Sequence, residues 1–198
     1  MAVLGVTGGV GAGKSRILTI LKEEYGAAII QADEVARQLE EPGRPGLAAL
    51  VECFGNGILN SEGELDRARF AGLIFADHQA LLRTNEILHP LVWDQIRSRI
   101  SEKKDRLTAV EAALFDEKSR EICDCLLFVD TDEETRIRRL IENRGYSRGQ
   151  CLAVMRNQPD RESFLKLTDY VIDNNGTEED VKRQLSEVMK EISTNETC

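Results

Sequence analysis

Residues 8–15 read Gly8-Gly9-Val10-Gly11-Ala12-Gly13-Lys14-Ser15, which fits the spacing G-x-x-x-x-G-K-[ST] at every position. Glycine at these places lets the backbone curl until successive N–H groups face one anion, and a helix starting near Lys14 would add the positive end of its dipole. In such a cradle Lys14 would bridge the β- and γ-phosphates of a nucleotide. The Ser15 hydroxyl would ligate a Mg²⁺ ion that spreads charge between those phosphates. The octet points to phosphate binding, and with it a switch, a motor or a kinase.

Other charged residues bear on that choice. Asp33 marks the end of a short apolar stretch, Ala27 to Ala32, at the carboxyl end of a strand, where ligands of open α/β sheets collect. A carboxylate there can orient and deprotonate an attacking hydroxyl, or cap the helix beginning at Glu34, and one residue can do both. Leu126-Leu127-Phe128-Val129-Asp130 ends in an acid able to hold Mg²⁺ through water, but Thr131 and Glu134 beside it fit a T-x-x-E capping box, which favours a local role for Asp130. From 136 to 148 the chain carries Arg136, Arg138, Arg139, Arg144 and Arg148 against the single acid Glu142. That reversal suits a lid that places guanidinium groups on a transferring phosphoryl, more than arginines that only complement a helix end. His89, before Pro90, has no second histidine or cysteine at metal-ligand spacing, so it is a structural residue or a contact to a substrate phosphate or ribose. Glu111 sits among Val110, Ala112 and Ala113, where an acid needs a partner or solvent, and could line a substrate cleft.

The elements that must hold these residues alternate. Val3 to Val6 reads as a strand running into the glycine loop, Lys14 to Glu24 as a helix stopped by Gly26, and Ala27 to Ala32 as a second strand. Glu34 to Glu40 is expected as a helix broken by Pro42-Gly43. Strand signals then vanish as far as about Lys104, replaced by helical stretches near Leu47 to Phe54, Arg67 to Phe75 and Gln79 to Ile100, the last bent at Pro90. Strands return at Leu107 to Leu114, Leu126 to Asp130 and Tyr170 to Ile172, with a helix from about Glu133 to Asn143 between the last two. A final amphipathic helix places Val181, Leu185, Val188 and Ile192 on one face and precedes a polar tail. Strands separated by helices imply an α/β fold with a parallel sheet, interrupted by an all-helical insertion.

The chain has 198 residues, 41% apolar and 31% charged, enough for one full core with insertions. With Lys plus Arg at 26 against Asp plus Glu at 35, its formal charge of −9 disfavours a nucleic-acid partner. No apolar run, Cys125 to Val129 included, is long enough to cross a membrane, and the N-terminus lacks the pattern of a secretory signal, so a cytoplasmic location is expected. The five cysteines, Cys53, Cys123, Cys125, Cys151 and Cys198, lack paired zinc spacing and read as reduced thiols, with Cys123 and Cys125 on one face of a strand.

Four blocks, in order and spacing, resemble the dephospho-coenzyme A kinase family. They are Thr7-Gly8-Gly9-Val10-Gly11-Ala12-Gly13-Lys14-Ser15, Gln31-Ala32-Asp33-Glu34-Val35-Ala36-Arg37, Leu88-His89-Pro90, and Asp169-Tyr170-Val171-Ile172-Asp173-Asn174-Asn175-Gly176. The resemblance implies a P-loop kinase-type three-layer fold with a parallel sheet, a helical substrate-binding insertion and a small helical lid. It divides the chain into a nucleotide-binding core (1–33, 105–135 and 160–198), a helical substrate subdomain (34–104) and a lid (136–159). It implies ATP with Mg²⁺, and transfer of a phosphoryl group to the ribose 3′-hydroxyl of dephospho-coenzyme A.

By position, Asp33 becomes the base, and Lys14, Arg139 and Arg144 act on the transferring group. Gly9, Val10, Gly11, Ala12, Gly13, Lys14, Ser15 and Arg16 hold the nucleotide phosphates, with Ser15 on the metal and Asn175 and Gly176 near adenine. Thr7, Asp33, Arg37, Arg67, His89 and Pro90 meet the acceptor. The sequence departs from the family pattern twice: P-L-L-F-E becomes Ala112-Ala113-Leu114-Phe115-Asp116, leaving the role of Asp116 open, and R-D-G becomes Asn143-Arg144-Gly145, shifting the arginine by one residue. A kinase for another small hydroxyl or nucleoside monophosphate would share the loop, Asp33 and lid. A guanine-nucleotide switch would need an N-K-x-D signature, which the chain lacks.

Overall fold

The computed structural model of the chain describes residues 2–103 and 107–194. At the centre of its sheet lies β1 (Val3–Thr7), flanked by β3 (Thr108–Glu111) and β4 (Cys125–Asp130), with β2 (Ala28–Gln31) outside β3 and β5 (Tyr170–Asp173) outside β4. The pairs β1·β3, β1·β4 and β4·β5 are parallel, with Val6 level with both Glu111 and Leu127. Every residue of β1 is buried, as befits a strand covered on both faces and read as a continuous apolar run. One face carries α1 (Lys14–Tyr25) and α10 (Glu178–Thr194), whose Ile17, Leu21, Val181 and Leu185 pack with Leu4, Leu127 and Ile172. Each such side chain contributes about 1.5–3 kcal/mol of transfer free energy. On the other face Phe164 of α9 (Arg161–Leu167) stacks on Phe128, ring centroids 4.9 Å apart.

The chain divides into two compact units, residues 1–30 with 103–198, and residues 31–102. The second is helical, with α2 (Ala32–Leu39), α3 (Pro45–Phe54) and α4 (Arg67–Ala76) each packing on α5 (His78–Ser101). Leu47, Leu50, Ile58, Leu65, Phe70 and Leu88 form its own core. Within the first unit, α6 (Glu117–Arg120) precedes β4, and α7 (Glu133–Arg144) and α8 (Arg148–Arg156) cover most of the stretch expected as a lid, with α9 following.

Several boundaries differ from the sequence reading. β2 stops at Gln31, which is the N-cap of α2, so Asp33 lies in the first helical turn and neither ends the strand nor caps the helix. Acidic residues at 33 and 34 complement the dipole there, and this favours an early helix start. β3 ends at Glu111, four residues long, and Leu114 beyond it is exposed. α5 passes Pro90 without ending. Cys123 precedes β4 and so shares no strand face with Cys125. Asp116, whose role was open, caps α6, its carboxylate accepting from the Ser119 N–H at 2.7 Å. The boundary expected at 104, Cys198 and the final polar residues lie outside the described residues.

Candidate active site

Parallel pairing brings the last residues of β1, β3, β4 and β5 (Thr7, Glu111, Asp130 and Asp173) to one edge of the sheet. The glycine loop leaves β1 at that edge and enters α1. Gly13 caps α1 in the left-handed region at φ +90°, and a Cβ there would collide with the Asn174 amide, so both backbone and space require glycine. The Val10 N–H donates to Gln158 Oε1 at 2.9 Å and that of Ala12 to Gly9 O at 3.1 Å. Among the described residues, the N–H groups of Gly11, Gly13 and Lys14 meet no protein acceptor. Those groups, at the N-terminus of α1, are what an anion would find.

Lys14 Nζ donates to Gly8 O at 2.9 Å and lies 3.5 Å from Glu111 Oε1, which gives that strand acid a cationic partner. Ser15, the second residue of α1, is exposed. Thr7, expected among the acceptor contacts, is buried, and its hydroxyl donates to Ala113 O at 3.1 Å, tying β1 to the segment after β3.

The outer side of the loop is fastened by residues of the first unit. Ala12 O accepts from Thr131 Oγ1 at 2.9 Å, Asn174 Nδ2 at 2.7 Å and Arg139 Nη1 at 3.2 Å. Asn174 Oδ1 in turn accepts from Arg16 Nη1 at 3.3 Å, and Arg139 Nη2 donates to Asn174 O at 2.8 Å. Arg136 Nε donates to Val10 O at 2.9 Å and its Nη2 to Gln158 Oε1 at 3.1 Å. The Val10 side chain joins the apolar cluster of Ile137, Leu140 and Cys151. Burial draws both guanidinium groups below the usual arginine value, reinforced at Arg139 by the neighbouring Arg16 and Arg138.

Of the expected lid arginines, Arg139 meets the loop while Arg144 stands exposed in the last turn of α7. The capping box expected at Thr131 and Glu134 is not formed: Asp132 is the N-cap of α7, and the Thr131 hydroxyl is committed to Ala12 O. Asp130 pairs with Arg161 Nε at 2.7 Å. Asn175 closes the turn after β5, accepting from the Asp132 N–H at 3.0 Å and donating to Asp173 Oδ1 at 2.7 Å, while Gly176 abuts Asp180. Beside the loop lies a cavity of about 670 Å³ lined by Gly9, Ala12, Asp130, Arg136, Gln158 and Arg161, among others.

In the helical unit Asp33 and Arg37 are exposed one turn apart on α2, whose Val35 and Leu39 face inward. Arg67 opens α4 and donates to Glu40 Oε2 at 2.7 Å. His89 and Pro90 are exposed on α5, off the buried stripe of Thr84, Leu88, Val92 and Ile96.

The sheet order, the loop and its lysine define a P-loop kinase fold, and shikimate kinase from Acinetobacter baumannii superimposes with a TM-score of 0.54 at 15% identity, covering 99% of this chain and 95% of that one. A crystal structure from Thermus thermophilus is closer, with a TM-score of 0.80, 29% identity and coverage of 96% and 97%. The model of the dephospho-CoA kinase family matches residues 2–180, and the dephospho-CoA kinase of Thermobifida fusca is 37% identical over 194 residues, 97% of this chain and 96% of that protein. The chain belongs to the dephospho-CoA kinase family.

Proposed function

We propose that this chain transfers the γ-phosphoryl group of ATP to the ribose 3′-hydroxyl of dephospho-coenzyme A. The observation that carries this reading is the cradle, where the N–H groups of Gly11, Gly13 and Lys14 are left for an anion in a chain of this family. Residues Gly9 to Arg16 hold the triphosphate, and Lys14 moves from Gly8 O to the β- and γ-phosphates. Asp33 takes the proton of the ribose hydroxyl as its oxygen bonds to phosphorus. The bond from that phosphorus to the β–γ bridging oxygen breaks and ADP leaves. Arg37, Arg67 and His89 hold the acceptor, Arg139 steadies charge on the transferring group, and Asn175 and Gly176 neighbour adenine.

No group of three or more His, Cys, Asp or Glu among the described residues could hold a metal alone, so Mg²⁺ would be held by the Ser15 hydroxyl and by phosphate oxygens. When bound it neutralises charge between the β- and γ-phosphates. No helix among the described residues is long and apolar enough to cross a membrane. The charge of −9 fits small anionic substrates gathered by local basic clusters, without a nucleic-acid partner, in the cytoplasm.

The test is ADP release by purified protein with Mg-ATP, comparing dephospho-coenzyme A, AMP, CMP, shikimate and no acceptor, with mass analysis of the product. Release confined to dephospho-coenzyme A, with one phosphoryl group gained, is expected. Release with another acceptor alone would overturn the substrate assignment.

A further inference from the structure

The Ala12 carbonyl draws three side-chain donors, Thr131 Oγ1, Asn174 Nδ2 and Arg139 Nη1, each from a different part of the first unit. Thr131 follows β4, Asn174 follows β5, and Arg139 belongs to α7. The first two side chains belong to buried residues, Asn174 at 0% and Thr131 at 7% exposure, so their donor groups are committed to this contact. The described peptide bonds are all trans. In a trans peptide the carbonyl oxygen and the following N–H point in opposite directions. Fixing Ala12 O toward Thr131 and Asn174 therefore fixes the Gly13 N–H away from them, on the side where it meets no protein acceptor. Donors on the carbonyl also polarise the amide, making its N–H a stronger donor.

We infer that Thr131 and Asn174 are positioning residues for phosphoryl transfer, which aim the Gly13 N–H at the nucleotide phosphates by holding the other end of its peptide plane. Neither residue need touch the phosphates to do so. Asn174 has a second task in the same place: its amide fills the space that a side chain at residue 13 would need, and its Oδ1 accepts from Arg16 Nη1 one turn into α1. Main-chain amides aimed in advance at developing charge need no reorganisation during the reaction, and a misplacement of about 1 Å can cost about 100-fold in rate.

The kinetic arm of the test rests on the kinase reading, and the binding arm does not. Thr131→Val keeps the shape and loses the hydroxyl, whereas Thr131→Ser restores it. The expected result is that Thr131→Val lowers kcat/KM for Mg-ATP about tenfold with most of the loss in kcat, while KM for dephospho-coenzyme A stays within about twofold and Thr131→Ser recovers the parent value. Asn174→Leu loses more, about 100-fold. Should Asn174→Leu fail to fold, the Thr131 pair carries the test.

In the binding arm inorganic triphosphate is titrated into ¹⁵N-labelled protein. The Gly13 amide resonance is expected to shift downfield in the parent and Thr131→Ser, and markedly less in Thr131→Val. A parent that shows this shift but no transfer to dephospho-coenzyme A would overturn the kinase reading and leave the positioning role standing. A Gly13 amide that ignores triphosphate in the parent, or a Thr131→Val protein that melts earlier yet keeps kcat and KM for ATP within about twofold, would overturn the positioning role.

Discussion

In the cradle Thr131 and Asn174 are buried and Lys14 is half-buried, and each donates to a main-chain carbonyl, whereas in the helical unit Asp33, Arg37 and His89 stand exposed on two helices. The first arrangement is set before any ligand arrives. The second leaves exposed side chains that a bound acceptor would have to order, at about 0.5–1.5 kcal/mol for a rotamer-rich one. Arg67 stands between these cases, exposed yet held by Glu40. A triphosphate has a fixed local shape that suits a rigid receptor, while a larger acceptor is better met by groups that adapt.

The comparison breaks most severely at Lys14. Lys14→Met removes the one cation of the loop, and kcat/KM for Mg-ATP should fall about 1000-fold with KM for the acceptor little changed, as steady-state kinetics in both substrates would reveal. An equally large rise in KM for both substrates would mean that cradle and helical unit do not divide the work. Next comes Asp33→Asn, expected to lower kcat about 100-fold while the calorimetric Kd for Mg-ATP stays within about twofold. Unchanged turnover would remove Asp33 from the role of base.

Smaller effects sharpen the contrast. Arg67→Gln should raise KM for dephospho-coenzyme A about tenfold and leave KM for ATP unaltered, and Glu40→Gln should act in the same direction more weakly, since it only frees the guanidinium. An effect on ATP alone would move Arg67 to the nucleotide side. The two units also differ in thiol chemistry. Cys53 of the helical unit is exposed, whereas Cys123 is buried and its thiol pushed up to about 12, chiefly by burial. At pH 8 a thiol reagent should label Cys53 within minutes and spare Cys123 until the protein unfolds. Since the unfolded thiol ionises near about 8.5 and the folded one does not, Cys123 also predicts stability falling as pH rises above that value. Labelling of Cys123 in native protein would show that the sheet opens at the start of β4.

The loop was legible because its information is local: eight contiguous residues, a strand before them and a helix of 3.6-residue period after. The same holds for α10, whose buried stripe is the one its periodicity marks. Thr131 was misread because a T-x-x-E pattern satisfies a local rule while its hydroxyl finds an acceptor 119 residues away. Asn174 was passed over for its neighbour Asn175, although continuing the alternation from buried Ile172 places Asn174 inside. The short α8 carried a signal that was missed, the capping box of Ser147 and Gln150. Arg139 and Arg136 were found as a cluster, but composition could not say that they would bind main-chain carbonyls of the loop.

The fastening of Ala12 has a temporal side. Its partners lie 119, 127 and 162 residues further along the chain. Synthesis releases the glycine loop well before the side chains that fix its shape, and contacts so far apart in sequence close slowly. A nascent chain thus carries the phosphate-binding signature long before it carries a phosphate-binding surface, and its competence to hold a nucleotide arrives with the strand that brings Asn174.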